Sequence, residues 1–229
     1  MCGRFVATSP LSKVAQTFAT DAAGFTLRPS YNVAPTTVVA AVVQDGSQRR
    51  IDRFVWGLMP AWRVKHSVSA PLINARAETI DEKPSFRHLV PKQRCVVPMD
   101  GYYEWLTTRD AHRKIPFFIT RTDSSLLAVA GLWDHADDKS GGLRRLCIAT
   151  VAANAELAEI HDRMPAVLEG DAIGEWLDGD PESAVNLLVP AEPGRLWARE
   201  VSTRVNSVRN DDPTNIDPVE SQTPPSLFD

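Results

Sequence analysis

The chain has little of what secreted or membrane proteins are built from. Its 229 residues include three cysteines, Cys2, Cys95 and Cys147. That odd count, without metal-type spacing, excludes a disulfide framework and suits a reducing cytosol. No apolar run approaches the ~20 residues that span a bilayer. The start lacks the basic-then-apolar pattern of a signal peptide. Positive charge gives out after Arg209, beyond which there is no Lys or Arg but five acids: Asp211, Asp212, Asp217, Glu220 and Asp229. The net charge is −4, and residues 1–209 carry 25 basic against 24 acidic side chains. This balance argues weakly against nucleic acid as a partner, yet leaves room for a local basic cleft. There is no internal repeat and no linker before the end. Pro218–Asp229, rich in Pro, Ser, Thr and acid, reads as a disordered acidic tail. The expected division is a domain over 1–217 and a tail over 218–229.

What is present is a sizeable apolar fraction, 43%, cut into short β-rich runs. Thr37–Val43, Ile51–Trp56, Arg94–Met99, Pro116–Thr120, Leu126–Leu132 and Arg145–Val151 are bounded by turn residues. Asp45-Gly46 between the first two predicts a hairpin. Ser9-Pro10 before Leu11, Val14, Ala15 and Phe18 predicts a helix with Ser9 as N-cap. Short helices are expected over Ala153–Ile160 and Asp171–Leu177, the second capped by Asp171. Asn32-Val33-Ala34-Pro35 reads most simply as a turn. Cys95 and Cys147 lie in apolar runs and read as buried small hydrophobes. The sum is a single α+β domain with a β-dominated core.

Cys2 stands apart because it follows the initiator Met1. A Met before a small residue is normally removed, so the mature chain should begin with cysteine. An N-terminal cysteine holds an amine titrating near ~7.7–8 beside a thiol near ~8.5. The pair can capture an aldehyde twice, as an imine and then as a five-membered thiazolidine. It can also cleave an amide, the thiol attacking and the amine serving as base. A disordered, inert terminus is the plain alternative.

Several other polar residues sit where a core does not need them. Asn74, Arg76 and Glu78 alternate, which in an extended segment projects all three to one face; a solvated strand face would read the same. Glu104 is an acid among aromatics in Gly101-Tyr102-Tyr103-Glu104-Trp105. Such surroundings raise a carboxyl's pKa and make it a proton donor; an exposed strand end is the other reading. His161, in His161-Asp162-Arg163-Met164-Pro165, is either functional or a helix C-terminal feature. Trp56 reads as core, whereas Trp62 is open between core and a stacking surface for bases.

Six of these segments occur in the order found in one family. Met1-Cys2-Gly3-Arg4-Phe5, Tyr31-Asn32-Val33-Ala34-Pro35, Trp56-Gly57-Leu58-Met59-Pro60, Asn74-Ala75-Arg76-Ala77-Glu78-Thr79, Gly101–Trp105 and His161–Pro165 together resemble the SOS response-associated peptidase (SRAP) family. Val201-Ser202 and Val205-Asn206 fit as well, so the likeness covers roughly 1–217. It implies a β-rich, barrel-like core with flanking helices and a basic DNA-binding groove. It further implies a sensor of abasic sites in single-stranded DNA that forms a thiazolidine crosslink through Cys2 once Met1 is removed. By that likeness, Glu104 assists opening of the sugar ring, His161 shuttles protons, and Asn74 holds the Cys2 end and the sugar. Arg4, Arg76 and Arg163 bind flanking phosphates and Trp62 stacks on a base. One departure is Arg63, where many relatives carry an aromatic or polar residue. A lyase side reaction by β-elimination follows naturally from an imine that fails to close. The implied protein is a cytosolic monomer, associated with the nucleoid when acting, with no metal, cofactor or membrane. The competing class is an N-terminal-nucleophile glutamine amidohydrolase, whose chains also begin Met-Cys-Gly. The second domain and the glutamine-gripping motifs of that class are not evident here.

Overall fold

The computed structural model describes residues 2–60, 70–108, 113–135 and 142–219. Two sheets dominate. The first, in the order β13-β8-β7-β1-β2, is antiparallel throughout. It comprises β1 (Phe5–Ala7), β2 (Ser30–Val33), β7 (Gly101–Thr107), β8 (Lys114–Arg121) and β13 (Leu196–Glu200). The second contains β3 (Val38–Asp45), β4 (Gln48–Trp56), β5 (Asn74–Arg76), β6 (Arg94–Met99), β9 (Leu127–Asp134), β10 (Arg144–Ala152), β11 (Arg163–Pro165) and β12 (Val167–Leu168). Here β10, β4, β3, β6 and β9 pair in turn, and β9 pairs back to β10, which closes a ring. Closure removes sheet edges that would otherwise expose unpaired backbone. The expected α+β class with a barrel-like core is what the chain forms.

The local reasons are visible in the strands. β6, β9 and β10 are nearly continuously apolar and buried, as strands covered on both faces require. The hairpin at Asp45-Gly46 is present: Asp45 pairs with Gln48, and Gly46 takes the positive φ of 60° that the turn demands. Phe5 carries β1 onto the ring by packing its side chain on Trp56, ring centroids 5.1 Å apart. Both are buried, and burying the Phe5 side chain contributes about 1.5–3 kcal/mol.

The helices differ more from expectation. α1 (Leu11–Phe18) begins after Pro10, which occupies the N-cap position without a side-chain bond. Ser9 does not cap it, because Asp100 takes the serine instead. The Asp100 carboxylate accepts from the Thr8 amide at 2.6 Å, the Ser9 amide at 2.9 Å and the Ser9 hydroxyl at 2.5 Å. Residues 153–160 form no α-helix. Asn154 Oδ1 accepts from the Leu157 amide, and only a 3-10 turn, Leu157–Glu159, follows. α2 (Ala172–Asp178) starts at Asp171 as expected, but the aspartate side chain makes no cap bond. α3 (Pro181–Asn186) is capped by Asp180. The Asn32 segment is also not a turn: Asn32 lies in β2, and the turn comes later, at Ala34–Thr37 with Thr36 at φ 72°.

Between β4 and β5 the chain leaves the sheet and returns to the same strand. β10 pairs in parallel with β4 through Arg144–Leu146 and with β5 through Ile148–Thr150. Leu58 and Leu72 exchange both backbone bonds, at 2.9 and 2.8 Å, at the base of this excursion. No helix among the described residues is long and apolar enough to cross a membrane. Pro218 and Val219, expected in the tail, pair with Val201 and Glu200; residues 220–229 lie outside the described residues.

Candidate active site

Strands β5 and β7 and the segment before β11 bring polar groups to Cys2 and its neighbours. Cys2 precedes β1 and is fully buried in the unprocessed chain. Asn74, the first residue of β5, donates from Nδ2 to the Cys2 carbonyl oxygen at 2.8 Å. Its Oδ1 is buried and accepts from no described residue, so an acceptor stands ready beside the N-terminal end. On β7, Phe5 pairs with Tyr102 and the Tyr103 amide donates to the Arg4 carbonyl oxygen. Strand alternation then turns Tyr102 and Glu104 toward the Cys2 side, and Tyr103 and Trp105 toward the opposite face.

The electrostatics follow from dryness. Burial pushes the Cys2 thiol well above its ordinary range; the nearby Glu104 carboxylate adds to this, and an Arg4 backbone hydrogen bond opposes it. Burial likewise raises the Glu104 carboxyl above its ordinary value, with His161 pulling the other way. Cys2, Glu104 and His161 therefore share one electrostatic environment. Both shifts favour the protonated forms, and groups so placed can pass a proton between them.

His161 arrives from the other side of the ring. It follows the 157–159 turn and precedes β11, which pairs with β10. Its Nδ1 lies 3.0 Å from the Arg163 amide and 2.8 Å from Asp162 Oδ1. The amide calls for a lone pair and the carboxylate for a proton, so the ring has partners for both protonation states. Arg163 is committed inside the wall. Both its terminal nitrogens engage the Glu78 carboxylate, with Nη2 at 2.9 Å from Oε2, and Nη2 also donates to the Thr150 carbonyl oxygen at 2.5 Å. That pairing holds the Glu78 carboxyl below the usual range.

The expected common face of Asn74, Arg76 and Glu78 is broken, because the extended segment ends at Arg76 and Glu78 sits on a 3-10 turn. Asn74 faces inward, while Arg76 is exposed and no described carboxylate pairs with it. Arg4 is half-buried: its Nη1 donates to Asn32 Oδ1 at 2.8 Å and to the Val205 carbonyl oxygen at 3.1 Å. Trp62 and Arg63 lie outside the described residues.

Two residues of this site had no distinct signal in the sequence. Asn32 is buried and donates to the carbonyls of Val205, Ser207 and Asn210, tying the C-terminal segment to Arg4. Its place in Tyr31–Pro35 was the available clue. Tyr102 is indistinguishable by sequence from its aromatic neighbours. Among the described residues no cluster of three or more His, Cys, Asp or Glu could hold a metal ion. A cavity of about 640 Å³, walled by Pro10, Leu11, Val33, Val39 and Leu126, touches Asn32 but is not lined by Cys2, Asn74, Tyr102, Glu104 or His161.

Comparison with known proteins gives the chain its relatives. The model of the family described as SOS response associated peptidase matches residues 1–208. The abasic site processing protein YoqW of Bacillus subtilis is 38% identical over 95% of this chain and 99% of its own. The abasic site processing protein HMCES of Gallus gallus is 35% identical, covering 86% of this chain and 68% of its own. A crystal structure of a protein from Bacteroides thetaiotaomicron superposes with a TM-score of 0.82 at 27% identity, over 95% of this chain and 100% of that one.

Proposed function

The chain belongs to the SOS response associated peptidase family, and on that premise we propose that it captures abasic sites in single-stranded DNA as a covalent thiazolidine on Cys2. The observation that carries this reading is a cysteine at position 2 with Asn74 bonded to it and Glu104 in electrostatic reach, and His161 in turn within reach of Glu104. Removal of Met1, by the protein itself or by an aminopeptidase, frees the α-amine.

An abasic deoxyribose is mostly a closed hemiacetal. Glu104, whose carboxyl is raised above its ordinary value by burial, gives a proton to the ring oxygen as the C1′–O bond opens, and His161 takes the proton of the C1′ hydroxyl, leaving the aldehyde. The Cys2 amine attacks C1′, and His161 carries the proton that lets the carbinolamine hydroxyl leave as water. The sulfur then adds to the imine carbon and closes the ring. Overall one water is lost. Asn74 holds the Cys2 carbonyl and offers Oδ1 to the amine or a sugar hydroxyl. Arg76, exposed and without a described carboxylate partner, contacts a flanking phosphate. Arg4, bonded to protein through Nη1, presents its remaining donors to the backbone, whereas Arg163, with both terminal nitrogens engaged and Nε buried, serves the DNA path only by holding Glu78 in place. Trp62 is proposed to stack beside the lesion. An imine that does not close undergoes β-elimination, a weak lyase activity. The near-neutral domain makes binding to intact strands modest and salt-sensitive, so the covalent step supplies most of the retention. The product shields the lesion during the response to DNA damage, in the cytosol and by a monomer.

Intact-protein mass spectrometry with an oligonucleotide bearing one abasic site tests this directly. The expected result is loss of Met1 and a heat-stable adduct of protein plus DNA minus water, absent in Cys2→Ala. A processed chain that forms no adduct, or an adduct that survives Cys2→Ala, sinks the reading.

A further inference from the structure

Two adjacent tyrosines on β7 have opposite fates. Tyr103 points away from Cys2, and its hydroxyl donates to the Tyr31 carbonyl oxygen at 2.8 Å. Tyr102 points to the Cys2 side, is fully buried, and its hydroxyl bonds to no described residue. Buried phenol oxygens nearly always find a partner, and leaving one without is a standing cost to the fold. A Phe would fill the same space without it. Cys2 shares the buried cluster of Tyr102 and lies in electrostatic reach of it. Tyr102 pairs with Phe5, three residues beyond Cys2, and Glu104 follows on the same face.

We propose that Tyr102 is a catalytic residue of the ring-closing step, its hydroxyl donating a hydrogen bond to the Cys2 sulfur as that sulfur attacks the imine carbon. The inference rests on the crosslinking reading given above. In the step, the S–C1′ bond forms with a sulfur electron pair. The imine is protonated on nitrogen, so when the C1′–N π bond breaks its pair returns to nitrogen and leaves the neutral N–H of the ring. The thiol proton passes to the Glu104 carboxylate, which recovers the proton it gave to the sugar ring oxygen. Sulfur carries most negative charge midway through this transfer, among buried groups, and a fixed donor there is worth far more than in solution. Burial, then the Cys2 and Glu104 charges, push the phenol well above its ordinary range, so it remains a donor throughout.

The test separates the two chemical steps in Tyr102→Phe, with the wild type in parallel. Borohydride traps the imine, and heat-stable adduct reports the ring. The expected variant folds with an equal or higher Tm and forms trapped imine at the wild-type rate. Its ring closes about tenfold more slowly or worse, the size of effect one lost hydrogen bond to a charged centre produces. A purely structural tyrosine would move stability and leave the imine-to-ring partition alone. Equal partition in the two proteins overturns the role of Tyr102; a processed wild type without any adduct overturns the crosslinking reading beneath it. Should Tyr102→Phe fail to fold, 3-fluorotyrosine incorporation keeps the shape and acidifies the phenol. A ring-closure pH profile that does not move with that replacement overturns the proposal equally.

Discussion

Cys2 and Cys147 are equally buried, and burial pushes both thiols up, Cys147 to about 12. Yet one sits in a site and the other in a core. Cys147 lies mid-strand on β10, and the chief charge interaction of Cys95 is with Cys147 itself, another apolar thiol. Around Cys2 are Asn74, Tyr102 and Glu104, with His161 in electrostatic reach of Glu104. Burial alone therefore makes an inert sulfur. A reactive one needs polar groups in the same dry volume, aimed at it, and these cost stability that a core would not give up.

The sharpest way to break the comparison is Cys2→Ser against Cys147→Ala. The serine keeps the α-amine, so borohydride should still trap an imine while heat-stable adduct disappears. Cys147→Ala should lower Tm and leave crosslinking in the folded fraction unchanged. If Cys147→Ala abolished the adduct, the division between the two cysteines would be wrong.

Glu104→Gln comes next. Loss of a positioned acid should slow crosslinking by about 10²-fold or more, read from single-turnover gels. The same variant carries a stability signature. The native carboxyl titrates above its ordinary 4.5, so the folded state binds this proton more tightly than the unfolded chain. Its stabilising contribution is complete below the ordinary value and is lost as pH rises through the raised native value. Across that window the wild-type Tm should fall relative to Glu104→Gln. Parallel curves for the two proteins would mean that Glu104 is not held in a raised state.

Asn74→Ala should cost about tenfold in crosslinking rate, the scale of one lost hydrogen bond and a freed Cys2 end. The smallest effect belongs to Arg76→Ala. Removing one exposed phosphate contact should reduce the salt slope for intact single strands by about 0.7, with little change in the covalent step at low salt. A slope that does not move would take Arg76 off the DNA path.

Much of this was legible beforehand because its signals are local. The β-runs carry their own hydrophobic pattern, and β6 matches its sequence limits, Arg94–Met99. Cys2 is marked by position alone. What was hidden depends on partners distant in the chain. Ser9 has a good capping sequence, but Asp100, 91 residues away, takes its hydroxyl. The stretch after Ala153 has helix-forming composition, but Asn154 bends it into a turn by bonding Leu157. The difference between Tyr102 and Tyr103 is a matter of strand alternation relative to β1, which no reading of Gly-Tyr-Tyr-Glu-Trp alone supplies. The ties of Arg4 to Asn32 and of Arg163 to Glu78 cross 28 and 85 residues, so neither arginine could be judged from its own surroundings.

The reciprocal Leu58–Leu72 bonds pin the backbone just after β4 and just before β5. Both strands rest on β10 independently, so the register of each is set without reference to the sequence between the two leucines. A change of length or chemistry between Leu58 and Leu72 should therefore leave the three strands paired as they are.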